Sequence, residues 1–137
     1  MKKNRKVMPW ILFAASLVLA VGVLTFLRPC GAHEDGSFGC CHWAGHVCAA
    51  LGFLMALEAF FMALLPDEKT GAGLGLAAAF TAVVTFLVPG VLVQLCMMET
   101  MRCQMYMKPA VRVLSVLIAV LAVLSAWPAK AGRNNRQ

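Results

Sequence analysis

The stretch CMMETMRCQMYM at residues 96–107 holds two cysteines and five methionines and separates two long apolar runs. Another stretch, CCHWAGHVC at residues 40–48, separates the other two long apolar runs. We call residues 40–48 the first thiol segment and residues 96–107 the second thiol segment. Outward from these segments the chain divides into four apolar runs, which predicts four membrane-crossing helices.

Composition supports a membrane environment. The chain has 137 residues, of which 61% are hydrophobic and 13% are charged. A soluble domain is closer to half apolar and a quarter charged, so the excess indicates lipid as the solvent. The net charge of +6 comes mostly from Lys and Arg at the two chain ends, beside apolar runs. That placement is typical of a topology signal and not of a nucleic-acid surface.

The predicted spans are residues 7–27, 43–65, 73–95 and 109–127. The first has 21 residues, about 31 Å as a helix, which matches a bilayer core of roughly 30 Å. A cleaved signal peptide is the alternative for residues 7–27. The run is long for that role, and residues 27–30 lack the small side chains of a cleavage site. We therefore expect the first helix to remain.

Prolines mark the ends and bends of the predicted helices. Pro89, followed by Gly90, predicts a kink inside the third span, which packed neighbours in a bilayer tolerate. Pro109 fits the first turn of the fourth helix, where its missing N–H costs nothing. Pro128 is expected to close that helix.

Orientation follows from the distribution of basic residues. Four Lys and Arg precede the first span, three follow the last and one lies in the turn near residue 66, whereas four lie on the other side. The positive-inside rule then predicts cytoplasmic termini and extracytoplasmic thiol segments. The expected fold is an all-α, single-domain, multi-pass four-helix bundle in the cell membrane, inner or plasma.

The two thiol segments are expected to face each other above the bundle. The second and fourth spans begin beside them, and Trp43 and Tyr106 are suited to anchor both segments at the membrane interface.

The cysteines carry the strongest chemical signal. Cysteines seven positions apart on a helix lie about 10.5 Å apart, beyond the roughly 7 Å that a disulfide spans. This excludes Cys41–Cys48 and Cys96–Cys103 if each segment is helical. Disulfides between the two segments, or with Cys30 and Cys40, are geometrically easier, and an external compartment favours disulfides. The disulfide candidates are Cys30, Cys40, Cys41, Cys48, Cys96 and Cys103.

A soft-metal site is the alternative use of the same sulfurs. Thiolates and thioethers select Cu(I), and imidazole also suits copper. His42 and His46 are four apart, on one face of a helix start. The candidate ligands are Cys41, His42, His46, Cys48, Cys96, Met98, Met101 and Cys103. The methionines could instead fill packing gaps. A sulfur in a disulfide is not a thiolate ligand, so disulfide and metal exclude each other at each thiol.

Two polar residues lie within the apolar runs. Glu58 is the only acid inside a span, and an intramembrane charge by default marks a function or a partner contact. It could also reach the headgroups or stay protonated. Gln94 is expected to hydrogen-bond between helices. Gly71, Gly73 and Gly75 allow close helix contact.

The triplet Cys41-His42-Trp43 and the triplet Met101-Arg102-Cys103 resemble motifs of a bacterial membrane protein family. It is a family of small four-span proteins with a domain of unknown function, DUF4418, and the likeness covers nearly the whole chain. Some members are encoded near ABC-type export systems with FtsX-like permeases. The resemblance implies an integral membrane partner and no activity.

The four spans and external cysteine pairs also resemble the DsbB and VKOR membrane enzymes. This second resemblance implies a thiol–disulfide oxidoreductase coupled to quinone, acting through mixed disulfides. The chain lacks the Cys-x-x-Cys that those enzymes usually carry. It also shows no nucleophile paired with a base and no phosphate loop. We therefore favour a non-enzymatic accessory subunit, with the oxidoreductase as the alternative.

Overall fold

The computed structural model describes residues 2–26, 36, 39–65, 67–94 and 103–131, with side chains for most of them. The elements are α1 (Lys2–Thr25), α2 (Cys40–Leu64), α3 (Glu68–Leu87), a π-helical turn (Cys103–Met107) and α4 (Lys108–Ala131). Within these ranges no strand occurs. The predicted all-α fold is confirmed.

Each helix contains a stretch that is long and apolar enough to cross a membrane. These stretches are Val7–Thr25, His42–Leu64, Lys69–Leu87 and Gln104–Trp127. Large apolar side chains such as Phe80 and Val113 are about two-thirds exposed on the outer surface. In water such a surface would be unfavourable, whereas lipid solvates it. The chain is a multi-pass membrane protein with four spans among its described residues.

The bundle is a closed ring of neighbouring helices. Contacts join α1 to α2, α2 to α3, α3 to α4 and α4 back to α1. A central core unites small and large apolar side chains from all four helices: Leu12, Leu19, Met55, Ala59, Met62, Ala78, Ala79, Ala82, Ile118 and Ala122. Many of these are alanines, which allow helix axes to approach closely.

A smaller core cluster fixes the directions of the helices. It consists of Val23, Ala44, Cys48, Val88, Met107 and Val111. These residues come from the last turn of α1, the residue after α3, the N-terminal part of α2, the π-helical turn and the first turn of α4. Successive helices are therefore antiparallel, and the α1–α2 and α3–α4 connections leave the bundle at the same end. We call this the thiol end.

The third helix ends earlier than the sequence predicted. The expected span ran to residue 95 with a kink at Pro89, but α3 ends at Leu87. The amides of Leu92 and Val93 bond the carbonyls of Leu87 and Val88, at 3.1 and 3.0 Å. Gly90 has a φ of 102°, a conformation that favours glycine. Because proline removes a donor and glycine then reverses the chain, the helix stops, and the predicted kink is wrong.

The fourth helix begins as predicted and ends later. Pro109 lies in its first turn, as the missing N–H allows. The helix continues past Pro128 to Ala131, so the prediction that Pro128 closes it is wrong. A proline in the final turn removes one hydrogen bond, a loss that a membrane helix tolerates.

Two glycines set the closest helix approaches. A Cβ built on Gly52 of α2 would lie 3.0 Å from the Cβ of Ala20 on α1. A Cβ on Gly75 of α3 would lie 3.1 Å from the Cβ of Ala126 on α4. Of the three glycines expected to permit close contact, Gly75 does so. Gly73 has open space around its Cβ position.

Candidate functional site

The first thiol segment forms the first turns of α2. The helix begins at Cys40, and the His42 amide bonds the Gly39 carbonyl at 2.9 Å. Along this segment Ala44 and Cys48 are buried, whereas His46 is exposed. The helix therefore separates a core-facing side from an outer side that carries imidazole.

The two histidine rings form a close, tilted pair with a defined geometry. Their ring centroids lie 4.3 Å apart at an angle of 45°. Nδ1 of His46 lies 2.9 Å from the His42 carbonyl oxygen. A carbonyl only accepts, so Nδ1 carries the proton and donates. In the neutral ring Nε2 then keeps its lone pair, which is the arrangement common in metal-ligating histidines. His42 also lies edge-on to Trp43, with ring centroids 6.2 Å apart.

Cys48 lies apart from this pair. It is fully buried in the cluster at the thiol end, against Val88, Met107 and Val111. It follows His46 by two residues, which turns it about 200° around the helix. The structure therefore brings His42 and His46 together and places Cys48 on the opposite side of α2.

The other candidate metal ligands lie outside the described residues. This applies to Cys96, Met98 and Met101, and to the side chains of Cys41 and Cys103. Among the residues that the structure describes, no group of three or more His, Cys, Asp or Glu side chains could hold a metal ion. The predicted eight-residue metal cluster therefore stays a prediction.

Two of the six cysteines have described side chains, and both are free thiols. Cys40 is exposed and Cys48 is buried. Cys41 and Cys48 belong to the same helix, seven residues apart, so a disulfide between them is sterically excluded, as expected. Cys30, like the remaining candidates, lies outside the described side chains.

Met107 joins the second thiol segment to the first. It ends the π-helical turn, is 1% exposed and shares a core cluster with Cys48. Sequence reasoning placed it in the second segment but not among the ligands, and its burial fits the packing role of methionine. Trp43 and Tyr106, the expected interfacial anchors, are both exposed at this end of the bundle.

Glu58 lies in the interior of α2, far from the thiol end. Its Oε2 atom is buried with no hydrogen-bond partner, and its carboxyl bonds the Thr81 side chain of α3. The Thr81 hydroxyl lies 3.0 Å from the Ala77 carbonyl oxygen and donates to it. The single intramembrane acid therefore links two helices. Gln94 is exposed at the last described position before residue 95.

Sequence reasoning missed several buried polar groups. The hydroxyls of Ser16 and Ser115 and Nε of Arg112 are buried with no hydrogen-bond partner. Arg112 could have been found from its position, since it follows Lys108 by one helical turn and begins an otherwise uncharged run. The serines gave no comparable signal, because Ser is common in membrane helices.

Comparison with known proteins gives a family and no activity. No curated protein and no solved structure matches the chain. A family model described as a domain of unknown function, DUF4418, matches residues 12–128, so the chain belongs to the DUF4418 family.

Proposed function

We propose that the chain is a non-enzymatic accessory subunit of a larger membrane complex. In this proposal the chain holds its own two thiol segments together outside the cytoplasm. The observation that carries the proposal is the packing of Cys48 in one buried cluster with Met107. One residue comes from each thiol segment. Their presence in one buried cluster supports a single structural unit at the thiol end.

Two chemical states are open to this unit. Oxidised, disulfides between the segments tie the two halves of the bundle together and contribute about 2–4 kcal/mol. Reduced, the thiolates, thioethers and imidazoles bind Cu(I) or another soft metal. The fixed Nδ1 proton of His46, which leaves Nε2 as a donor atom, supports the second state. We rank disulfides first for an oxidising compartment.

The burial of Cys48 fits the accessory role better than it fits catalysis at that thiol. Thiol–disulfide exchange needs a thiolate that a partner can reach. Cys48 is fully buried, so it cannot serve as the attacking thiol in this conformation. Cys40 is exposed and could. The partner class, an ABC-type exporter with an FtsX-like permease, rests on the family resemblance alone.

Affinity isolation from native membranes in mild detergent tests the accessory role. We expect the protein to bring down a larger assembly of integral membrane proteins. Recovery of the protein as a lone monomer would count against the proposal.

A quinone-coupled oxidoreductase would behave differently in a direct assay. Purified protein with a dithiol and a quinone would then oxidise the thiol and reduce the quinone. Loss of this activity on Cys103→Ser, with retention on a Lys69→Gln control, would favour the enzyme. We expect no turnover in the unaltered protein.

A further inference from the structure

Two cations of α4 converge on the turn that comes after α3. A Cβ built on Gly90 would lie 3.2 Å from Cε and 3.5 Å from Nζ of Lys108. The same position is 3.5 Å from Nη2 of Arg112. Lys108 and Arg112 are one helical turn apart, so both side chains extend along the same face toward the thiol end. Two positive charges therefore lie beside one glycine.

The described residues leave these charges without an acidic partner. Nη2 of Arg112 reaches the Pro89 carbonyl oxygen at 3.5 Å, and Nε has no hydrogen-bond partner. The guanidinium also lies over the Phe86 ring, 5.3 Å from its centroid. Among the described acidic side chains, Glu58 bonds Thr81 and Asp67 lies at the opposite end. Among the described residues the local charge is therefore positive, and Nε of Arg112 is a donor without a partner.

An apolar groove begins at Arg112 and runs along α4. It has a volume of about 510 Å³ and is lined by Phe86 of α3 and by α4 residues from Val113 to Leu121. Arg112 is the one charged residue of the lining. From Arg112 to Leu121 the helix rises about 13.5 Å over nine residue steps, close to half of a bilayer core of roughly 30 Å. The groove therefore has the length of one leaflet, with a cation at its head.

We propose that this groove seats one acyl chain of an anionic phospholipid whose phosphate is bound by Arg112 and Lys108. Guanidinium matches a phosphate in a bidentate fork, and an ammonium adds a point charge. An intramembrane arginine must find water or phosphate, which its length allows near the interface. A zwitterionic lipid brings its own ammonium and so complements two cations less well. The leaflet is the one at the thiol end.

Thermal stability in detergent with defined lipids tests the proposal. We expect phosphatidylglycerol to raise the melting temperature more than phosphatidylcholine does, because a ligand that binds the folded state stabilises it. Inorganic phosphate should have little effect, since it lacks the acyl chain. Equal shifts with both lipids would overturn the proposal, and phosphate acting as well as phosphatidylglycerol would indicate a free-anion site.

Variants separate the headgroup from the chain. Arg112→Gln should weaken phosphatidylglycerol binding, read by native mass spectrometry, by about tenfold, as loss of a charge-assisted hydrogen bond implies. Val116→Trp should fill the groove and also reduce binding while both cations remain. Lys108→Gln provides the headgroup test if the Arg112 variant does not fold. Lys69→Gln, which removes an exposed cation at the opposite end, should bind as the unaltered protein does. The proposed lipid site would be contradicted if Lys69→Gln lost as much phosphatidylglycerol binding as Arg112→Gln, or if Val116→Trp lost none.

Discussion

At the scale of single residues, a missing side chain decides how closely α3 approaches α4. The Cβ position of Gly75 is 3.1 Å from the Cβ of Ala126 and 3.2 Å from the Ala122 carbonyl oxygen. The sequence predicted close contact at three glycines but could not say which one faced a neighbour. A helix face is defined only once its partner is known.

Gly75→Val should therefore destabilise the bundle. The added atoms meet backbone and side-chain atoms of α4, and such overpacking costs about 1–3 kcal/mol. Gly73→Val on the same helix is the matched control, because nothing lies within 4 Å of its Cβ position. The free energy of unfolding in mixed micelles, measured by SDS titration, compares the two. Equal losses of unfolding free energy in the two variants would show that the close approach of α4 to Gly75 does not cause the destabilisation.

The two described thiols should differ in reactivity. In chains that keep either Cys40 or Cys48 as the single cysteine, N-ethylmaleimide should label Cys40 quickly in the folded protein. Cys48 should react only after unfolding, because it is fully buried and the reagent cannot reach it. The reagent crosses membranes, so lipid is no barrier. The burial of Cys48 would be contradicted if both cysteines were labelled at comparable rates in the folded protein and at equal rates in SDS.

At the scale of elements, α2 and α3 are joined by a polar contact in an apolar interface. The Glu58 carboxyl and the Thr81 side chain form it, while Oε2 of the same carboxyl is buried with no hydrogen-bond partner. The sequence singled out Glu58 by its charge but left its role open. Its partner could not be predicted, because Thr81 lies 23 residues away and is an ordinary membrane-helix residue.

A double-mutant cycle measures this contact. Glu58→Ala and Thr81→Ala should be non-additive in the free energy of unfolding by about 0.6 kcal/mol, the average for such bonds in membrane proteins. Thr25→Ala is the control partner, since Thr25 bonds the Val21 carbonyl of its own helix, far from Glu58. The changes that Glu58→Ala and Thr25→Ala make in the free energy of unfolding should be additive. Coupling of equal size in the control would contradict a specific Glu58–Thr81 bond.

The helix ends show where sequence patterns stop being informative. Pro89 and Pro128 look alike as helix breakers, yet α3 stops before the first and α4 continues through the second. The difference lies in the residues after Pro89, because Gly90 adopts a positive φ and the amides of Leu92 and Val93 close the turn. Composition predicted the number of helices and hydropathy their approximate positions. Hydrogen-bond geometry decided where they end.

At the scale of the whole molecule, the antiparallel ring places the first thiol segment and the described part of the second, residues 103–107, at one end. The α2–α3 connection, which contains Asp67, leaves at the other end. The sequence predicted this arrangement from four spans and short connections. The two-residue spacing of His46 and Cys48 already implies opposite sides of a helix, but the sequence could not predict that the Cys48 side would face the core.

Membrane sidedness is a prediction of this arrangement. In a cysteine-free background, Ser37→Cys should react with a membrane-impermeant maleimide added outside intact cells. Asp67→Cys should react only after the membrane is opened, because it lies at the opposite end of the bundle. Labelling of position 37 from the cytoplasmic side alone would reverse the proposed orientation. Labelling of both positions from one side would contradict the four-span topology.

The central claim is that the two thiol segments form one unit, joined by disulfides or by a soft metal. Intact mass after alkylation, with and without reductant, tests it most directly when metal content is measured in the same sample. We predict either a bond between a cysteine of residues 40–48 and a cysteine of residues 96–103, or reduced thiols with a bound thiophilic metal. Six free thiols with no bound metal would contradict the account.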